Sequence, residues 1–166
     1  MGFLSKLFRV APKSEWSGIS LDEDRIWVVE PTKDHADFLR ALPALLPPNS
    51  VVYLEGPVDQ EVIEFLESNQ FDDPTKVALG TIWPAPTYYH IPCSAETMSG
   101  LASIINELPV VNLCTHIHAY KKKIVLLEWH DAFYDDPIRL SKKLREEEVA
   151  NFSGLVGKPY RSETDD

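Results

Sequence analysis

One stretch gathers most of the residues able to do chemistry: THIHAYKKKIVLLEWHDAFYDD, residues 115–136. His116, His118, Glu128 and His130 offer imidazole and carboxylate ligands of the kind that hold zinc or a similar divalent ion. The H-E-x-x-H signature is absent, and the interval from the H-x-H pair to Glu128 matches no standard metal motif. Cys114 with His130 is a candidate nucleophile and base. That pair needs a third group to orient the histidine, and Asp131 falls on the opposite strand parity. Asp131, Asp135 and Asp136 carry oxygen ligands for a cation. A turn closed by Pro137 accounts for the same three residues.

These side chains act together only if the backbone brings them together. Successive strand residues point to opposite faces. Val111, Leu113, Thr115, Ile117 and Ala119 form one parity class, matched by Val125, Leu127 and Trp129 on the second strand. Burying both odd sets requires odd to pair with odd, most simply around a three-residue loop, Lys121-Lys122-Lys123. In that register His116 lies opposite Glu128 and Cys114 opposite His130, with His118 one step along. A slip of one residue would send the first-strand histidines to the other face. Glycine is the usual left-handed residue of such a loop, and Lys123 stands in its place.

The rest of the chain supplies the elements around this hairpin. ISLDEDRIWVVE reads as a first strand, and Pro31 to Asp34 opens a helix on Phe38, Leu39 and Leu42. Pro43 is expected to end or kink that helix. VVYLE is a buried type of strand. Gly56-Pro57 leads into a helix whose inner stripe is Val58, Val62, Phe65 and Leu66, with Pro57 in its first turn. KVALGTIW reads as a strand, and PAPTYYHIP as a stiff aromatic segment. Ser94 caps a helix over AETMSGLASIINEL. IRLSK is a short strand before the helix REEEVANFSGLVG, which ends at Gly154 or Gly157. The order is β-α-β-α-β-β-α-β-β-(β)-α. This is an α/β chain with a mixed sheet and about four helices, its first half permitting a parallel pair. Residues 16–158 form the expected domain, 1–15 a short basic and apolar N-terminal segment, and 159–166 a loose tail.

At 166 residues, with 44% hydrophobic and 25% charged content, the chain is long enough to bury a core. Its longest apolar runs, VVYL and IVLL, fall far short of a membrane span. Phe3, Leu4, Leu7 and Phe8 with Lys6, Arg9 and Lys13 would permit a weak surface anchor, but a frayed or docked terminus is the expected reading. Cys93 and Cys114 lie outside any C-x-x-C pattern, so free thiols in a reducing cytoplasm are the expectation.

Net charge is −10, and Lys76 is the lone Lys or Arg between Ala41 and Tyr120. Nucleic-acid binding requires basic surface to neutralise phosphate, so that class of partner is disfavoured. Acidic Glu61 and Glu64, with the aromatics Trp83, Tyr88 and Tyr89, make a candidate surface for a basic protein. The expectation is a small acidic interaction protein of the inhibitor or immunity type, leaning away from an enzyme. The alternative is a divalent-metal protein or metal-dependent enzyme on the His116, His118, Glu128, His130 cluster. No G-x-G-x-x-G, P-loop or G-x-S-x-G occurs.

Overall fold

The computed structural model describes residues 10–106, 108–109 and 113–164. The expected N-terminal segment lies mainly outside these residues, as do Val111 and Asn112. Seven strands form one sheet: β1 (Arg25–Val29), β2 (Val51–Glu55), β3 (Tyr88–Pro92), β4 (His116–Lys121), β5 (Ile124–Trp129), β6 (Ile138–Ser141) and β7 (Tyr160–Thr164). Their spatial order is β3-β2-β4-β5-β6-β1-β7. Four longer helices accompany them: α2 (His35–Leu45), α3 (Gln60–Ser68), α4 (Ala95–Ile105) and α5 (Glu146–Val156), after a short α1 (Lys13–Trp16). The α/β reading therefore holds.

All strand pairs are antiparallel, and the parallel pair allowed by the first half does not form. The chain leaves β2 through α3 and returns along irregular chain to enter β3 at the end where β2 finished, so the two strands pair antiparallel. The Gly56 N–H donating to the Thr87 carbonyl marks where the two strands meet again.

Local chemistry explains the helix boundaries. Asp34 caps α2 by accepting from the Asp37 N–H, Asp59 caps α3 from Glu61 and Val62, and Ser94 caps α4 from Thr97. Pro57 thus precedes α3 instead of occupying its first turn. Pro43 does not end α2, which runs on to Leu45. The imide falls in the last turn, where burial of Leu42, Leu45 and Leu46 outweighs one missing hydrogen bond. Gly157, at φ 66°, closes α5 in the left-handed conformation.

One sheet face packs against the helices. Its centre is aromatic: Phe38 of α2 lies 4.8 Å from Trp129 and 5.9 Å from Phe152 between ring centroids, and Trp129 lies 4.6 Å from Phe133. The other face carries Ile26, Val28, Val51, Tyr53, Tyr120 and Val125, and irregular chain bearing Ile19, Leu21, Phe71 and Val77 covers it. KVALGTIW belongs to this cover. It is not a strand of the sheet; Val77 makes an isolated parallel bridge to Ile19. Two of its N–H groups, those of Gly80 and Thr81, are spent on a carboxylate instead of a ladder.

The expected loose tail is also corrected, because residues 160–164 form β7 along the whole of β1. Lys142 lies 3.1 Å over the centroid of the Trp27 ring and bonds Ser162, securing that edge. The strand is almost wholly exposed, so it leaves no hydrophobic pattern to read.

The hairpin turns on two residues, Lys122 and Lys123, with Lys122 at φ 56°. Tyr120 pairs with Val125, but Ala119 pairs with Leu127, which leaves Leu126 without a partner in a β-bulge. Leu126 and Leu127 both enter the helix-side core, while Val125 joins Tyr120 on the other face.

Replacing Phe38 by Ala removes the ring common to the α2, β5 and α5 contacts. The expected loss is about 3–5 kcal/mol, read as a lower guanidinium midpoint with an unchanged m-value.

Candidate metal site

Antiparallel register lines polar residues up across the loop-covered face. His90, Tyr53, His118, Glu128 and Arg139 follow one another from β3 through β2, β4 and β5 to β6. A second row runs Tyr88, Glu55, His116. The parity assignment is right for His116, His118, Glu128 and His130, which share a face. The predicted register is displaced by two: His118, not His116, stands opposite Glu128. The bulge accounts for this, since a two-residue turn plus one extra residue restores odd-to-odd pairing further along. Cys114 lies before β4 and is buried in the helix-side core, so it does not face His130. Burial pushes its thiol far above the ordinary range, which removes the nucleophile reading.

Glu55, fully buried, is a residue that sequence reasoning missed. It accepts from the N–H groups of Gly80 at 3.0 Å and Thr81 at 2.7 Å, and from the Tyr53 hydroxyl at 2.7 Å. The available signal was a charged residue ending an otherwise apolar strand. Three donors satisfy this carboxylate, and it pins the 76–81 strap to the sheet.

His116 is likewise accounted for. Its Nδ1 accepts from the Asp131 N–H at 3.0 Å, which assigns the proton to Nε2, donated to the Thr81 hydroxyl at 2.9 Å. With both nitrogens engaged, His116 is not a ligand in this arrangement. Its ring instead stands edge-on to His130, centroids 5.2 Å apart.

His118 is the opposite case. It is 1% exposed, and neither ring nitrogen has a hydrogen-bond partner among the described residues. Its Nδ1 lies 3.7 Å from Glu128 Oε1, and His130 Nε2 lies 3.8 Å from Glu128 Oε2. These gaps are too long for hydrogen bonds. One ligand atom from each of His118, Glu128 and His130 falls within 4.8 Å of the others. Glu128 is oriented by the Leu21 N–H, which donates to Oε1 at 3.1 Å.

Protonation follows from these surroundings. Burial pushes His118 down to about 4, so at neutral pH it is an uncharged imidazole. Burial favours protonation of Glu128, but the facing His130, His118 and the Leu21 N–H outweigh it and hold the carboxyl below its ordinary range. Glu128 in turn holds His130 above the usual histidine value, against partial burial.

The remaining candidates lie elsewhere. Asp131, Asp135 and Asp136 are exposed in the turn after β5. Asp131 and Phe133 adopt positive φ there, and Trp129 Nε1–H bonds the Asp136 carbonyl. Glu61 and Glu64 are exposed on α3; Trp83 and Tyr88 are exposed, and Tyr89 is half-buried with its hydroxyl toward Glu67.

Two measurements check this geometry. A Cβ built on Gly80 would lie 2.4 Å from His116 Cδ2; Gly80→Ala is expected to cost about 1–3 kcal/mol by overpacking, seen as a lower melting temperature. His90 and His118 are both held near 4 by burial, below the ordinary 6.5. The unfolded chain takes up these protons first as pH falls. Stability is then complete above about 6.5 and drops toward pH 4, on the order of 3 kcal/mol per histidine. Denaturant titrations across that range, with His90→Phe flattening the curve, test the sign. No protein-family model, no curated protein and no solved structure matches this chain.

Proposed function

We propose that the chain is a divalent-metal-binding protein, with His118, Glu128 and His130 as ligands and zinc the ion best suited to them. The observation that carries this reading is His118. An imidazole sealed from water with both nitrogens unpartnered forfeits hydrogen bonding worth about 1–3 kcal/mol per buried group. A metal bond at one nitrogen offsets part of that cost. Two nitrogens and one carboxylate oxygen form a borderline donor set typical of zinc. Ligand atoms around one tetrahedral zinc lie about 3.3 Å apart, given bonds of about 2.0–2.1 Å. The three ligand atoms lie within 4.8 Å of one another, so the cluster would close around the ion by side-chain movement.

Of the four residues selected from sequence, three remain ligands in this reading and His116 becomes a positioning residue. His116 packs edge-on against the His130 ring and so limits its orientation by contact.

A second reading, the acidic interaction protein, is supported by the exposed apolar side chains of Ile82, Trp83 and Tyr88 on the segment leading into β3, with Trp83 57% exposed. Net charge of −10 is compatible with a basic partner. This surface and the metal cluster do not compete for the same residues.

The test is elemental analysis of untagged protein beside thermal melts with zinc and with chelator. One ion per chain is expected. Zinc at a hundredfold its dissociation constant should add about 2.7 kcal/mol, or roughly 5–11 °C at this chain length. His118→Leu should lose the ion, yet melt above the native chain when both are stripped, because the orphaned nitrogens are gone. Glu128→Ala should lose the ion without that gain. Metal-free protein with an unmoved melt in zinc would overturn the reading.

A further inference from the structure

The cluster supplies three ligands, whereas a closed structural zinc site has four from protein. Nearby groups do not complete it. His116 is engaged at both nitrogens, Cys114 lies in the opposite core, and Glu55 is saturated by three donors. Access is graded: His118 is sealed and Glu128 nearly so, while the His130 side chain is 35% exposed. The site thus meets solvent past His130.

Arg139 stands on that same side. It pairs directly with Glu128 in the β5–β6 register, on the site face of β6, where its neighbours Ile138 and Leu140 point into the helix-side core. It is half-buried and close enough for its charge to act on His130. Yet its guanidinium makes no hydrogen bond or ion pair with any described residue. Arg145 and Arg161, by contrast, are both in carboxylate pairs. A planar guanidinium has five donors suited to bidentate contact with carboxylate or phosphate. Here it sits half-buried beside a centre whose net charge with a divalent ion and Glu128 would be positive.

We propose that the fourth coordination position is an exchangeable one that takes a small oxyanion, a carboxylate or a phosphate, with Arg139 binding the anion's other oxygens. This rests on the metal reading above and makes the site a ligand-binding Lewis-acid centre instead of a closed structural one. Water holds the position when the anion is absent. Glu128 and His130 orient the ion, and Arg139 supplies anion affinity without ligating metal.

The experiment uses the full chain, stripped with chelator and reloaded with Co²⁺, whose ligand-field absorption reports changes in coordination. Inorganic phosphate and acetate are titrated separately, and the arm that responds identifies the class of oxyanion. A saturable band shift is expected with at least one of them. Arg139→Gln should raise the half-saturating anion concentration about tenfold or more, with Co²⁺ stoichiometry unchanged. Arg139→Lys, which keeps the charge but loses the fork, should fall between and guards against a folding defect in the first variant. Co²⁺ bands unmoved by either anion would overturn the open position. Anion binding equally tight in Arg139→Gln would overturn the role of Arg139. Failure to take up Co²⁺ at all would instead overturn the metal reading beneath both.

Discussion

Leu126 has no residue opposite it in the β4–β5 ladder, and the arrangement of the sheet around it depends on that insertion. A hairpin closed by two residues pairs odd positions with even ones; at the tip Lys121 faces Ile124 and Tyr120 faces Val125. Continued along both strands, this pairing would send either the histidines of β4 or Glu128 into the helix-side core. One extra residue reverses the parity of everything beyond it. It lets two consecutive leucines enter the core, gives Trp129 its place against Phe38, and puts His118 across from Glu128. The apolar core and the polar row are thus products of one backbone irregularity, of the sort that often re-aims side chains beside functional sites.

The polar face is buried under irregular chain, and that cover sorts its members into satisfied and unsatisfied groups. A helix could not have done so, because its N–H groups are consumed internally except at its start. The 76–81 strap has free N–H groups and gives two of them to Glu55, while its threonine hydroxyl takes the proton of His116. The 17–24 segment gives one, from Leu21, to Glu128. Two buried carboxylates, on the strands that flank β4, therefore meet different ends. Glu55 is saturated and structural. Glu128 retains capacity for a further partner, facing two imidazoles at distances too long to be direct bonds. The proposed metal site uses the less satisfied of two otherwise similar groups.

Much of this was legible along the chain. Apolar spacing located α2, α3 and α4, a capping serine located the start of α4, leading glutamates and a closing glycine located α5, and a pair of β-rich runs located the hairpin. The parity of its histidines was legible as well. Boundaries failed where a local rule met a larger burial term, as at Pro43. KVALGTIW looked like a strand because valine, isoleucine and tryptophan favour one; the tertiary structure instead spends two of its N–H groups on the Glu55 carboxylate. The tail was missed for the converse reason. An exposed edge strand held by its backbone and by Lys142 carries no apolar pattern.

The sequence by itself determined the composition of the site and the face on which it lies, because side-chain type and strand parity are properties of the chain read in order. It also determined that the chain is acidic and that it can form an α/β core. Only the tertiary structure decided which histidine is free. His116 and His118 are two residues apart, on one strand and one face, and no local rule separates them. Their difference comes from what covers each: the Asp131 amide and the Thr81 hydroxyl reach one ring, and no described donor or acceptor reaches the other. Hydrogen-bond satisfaction of a buried group is set by segments distant in sequence, and it is known only once they are packed.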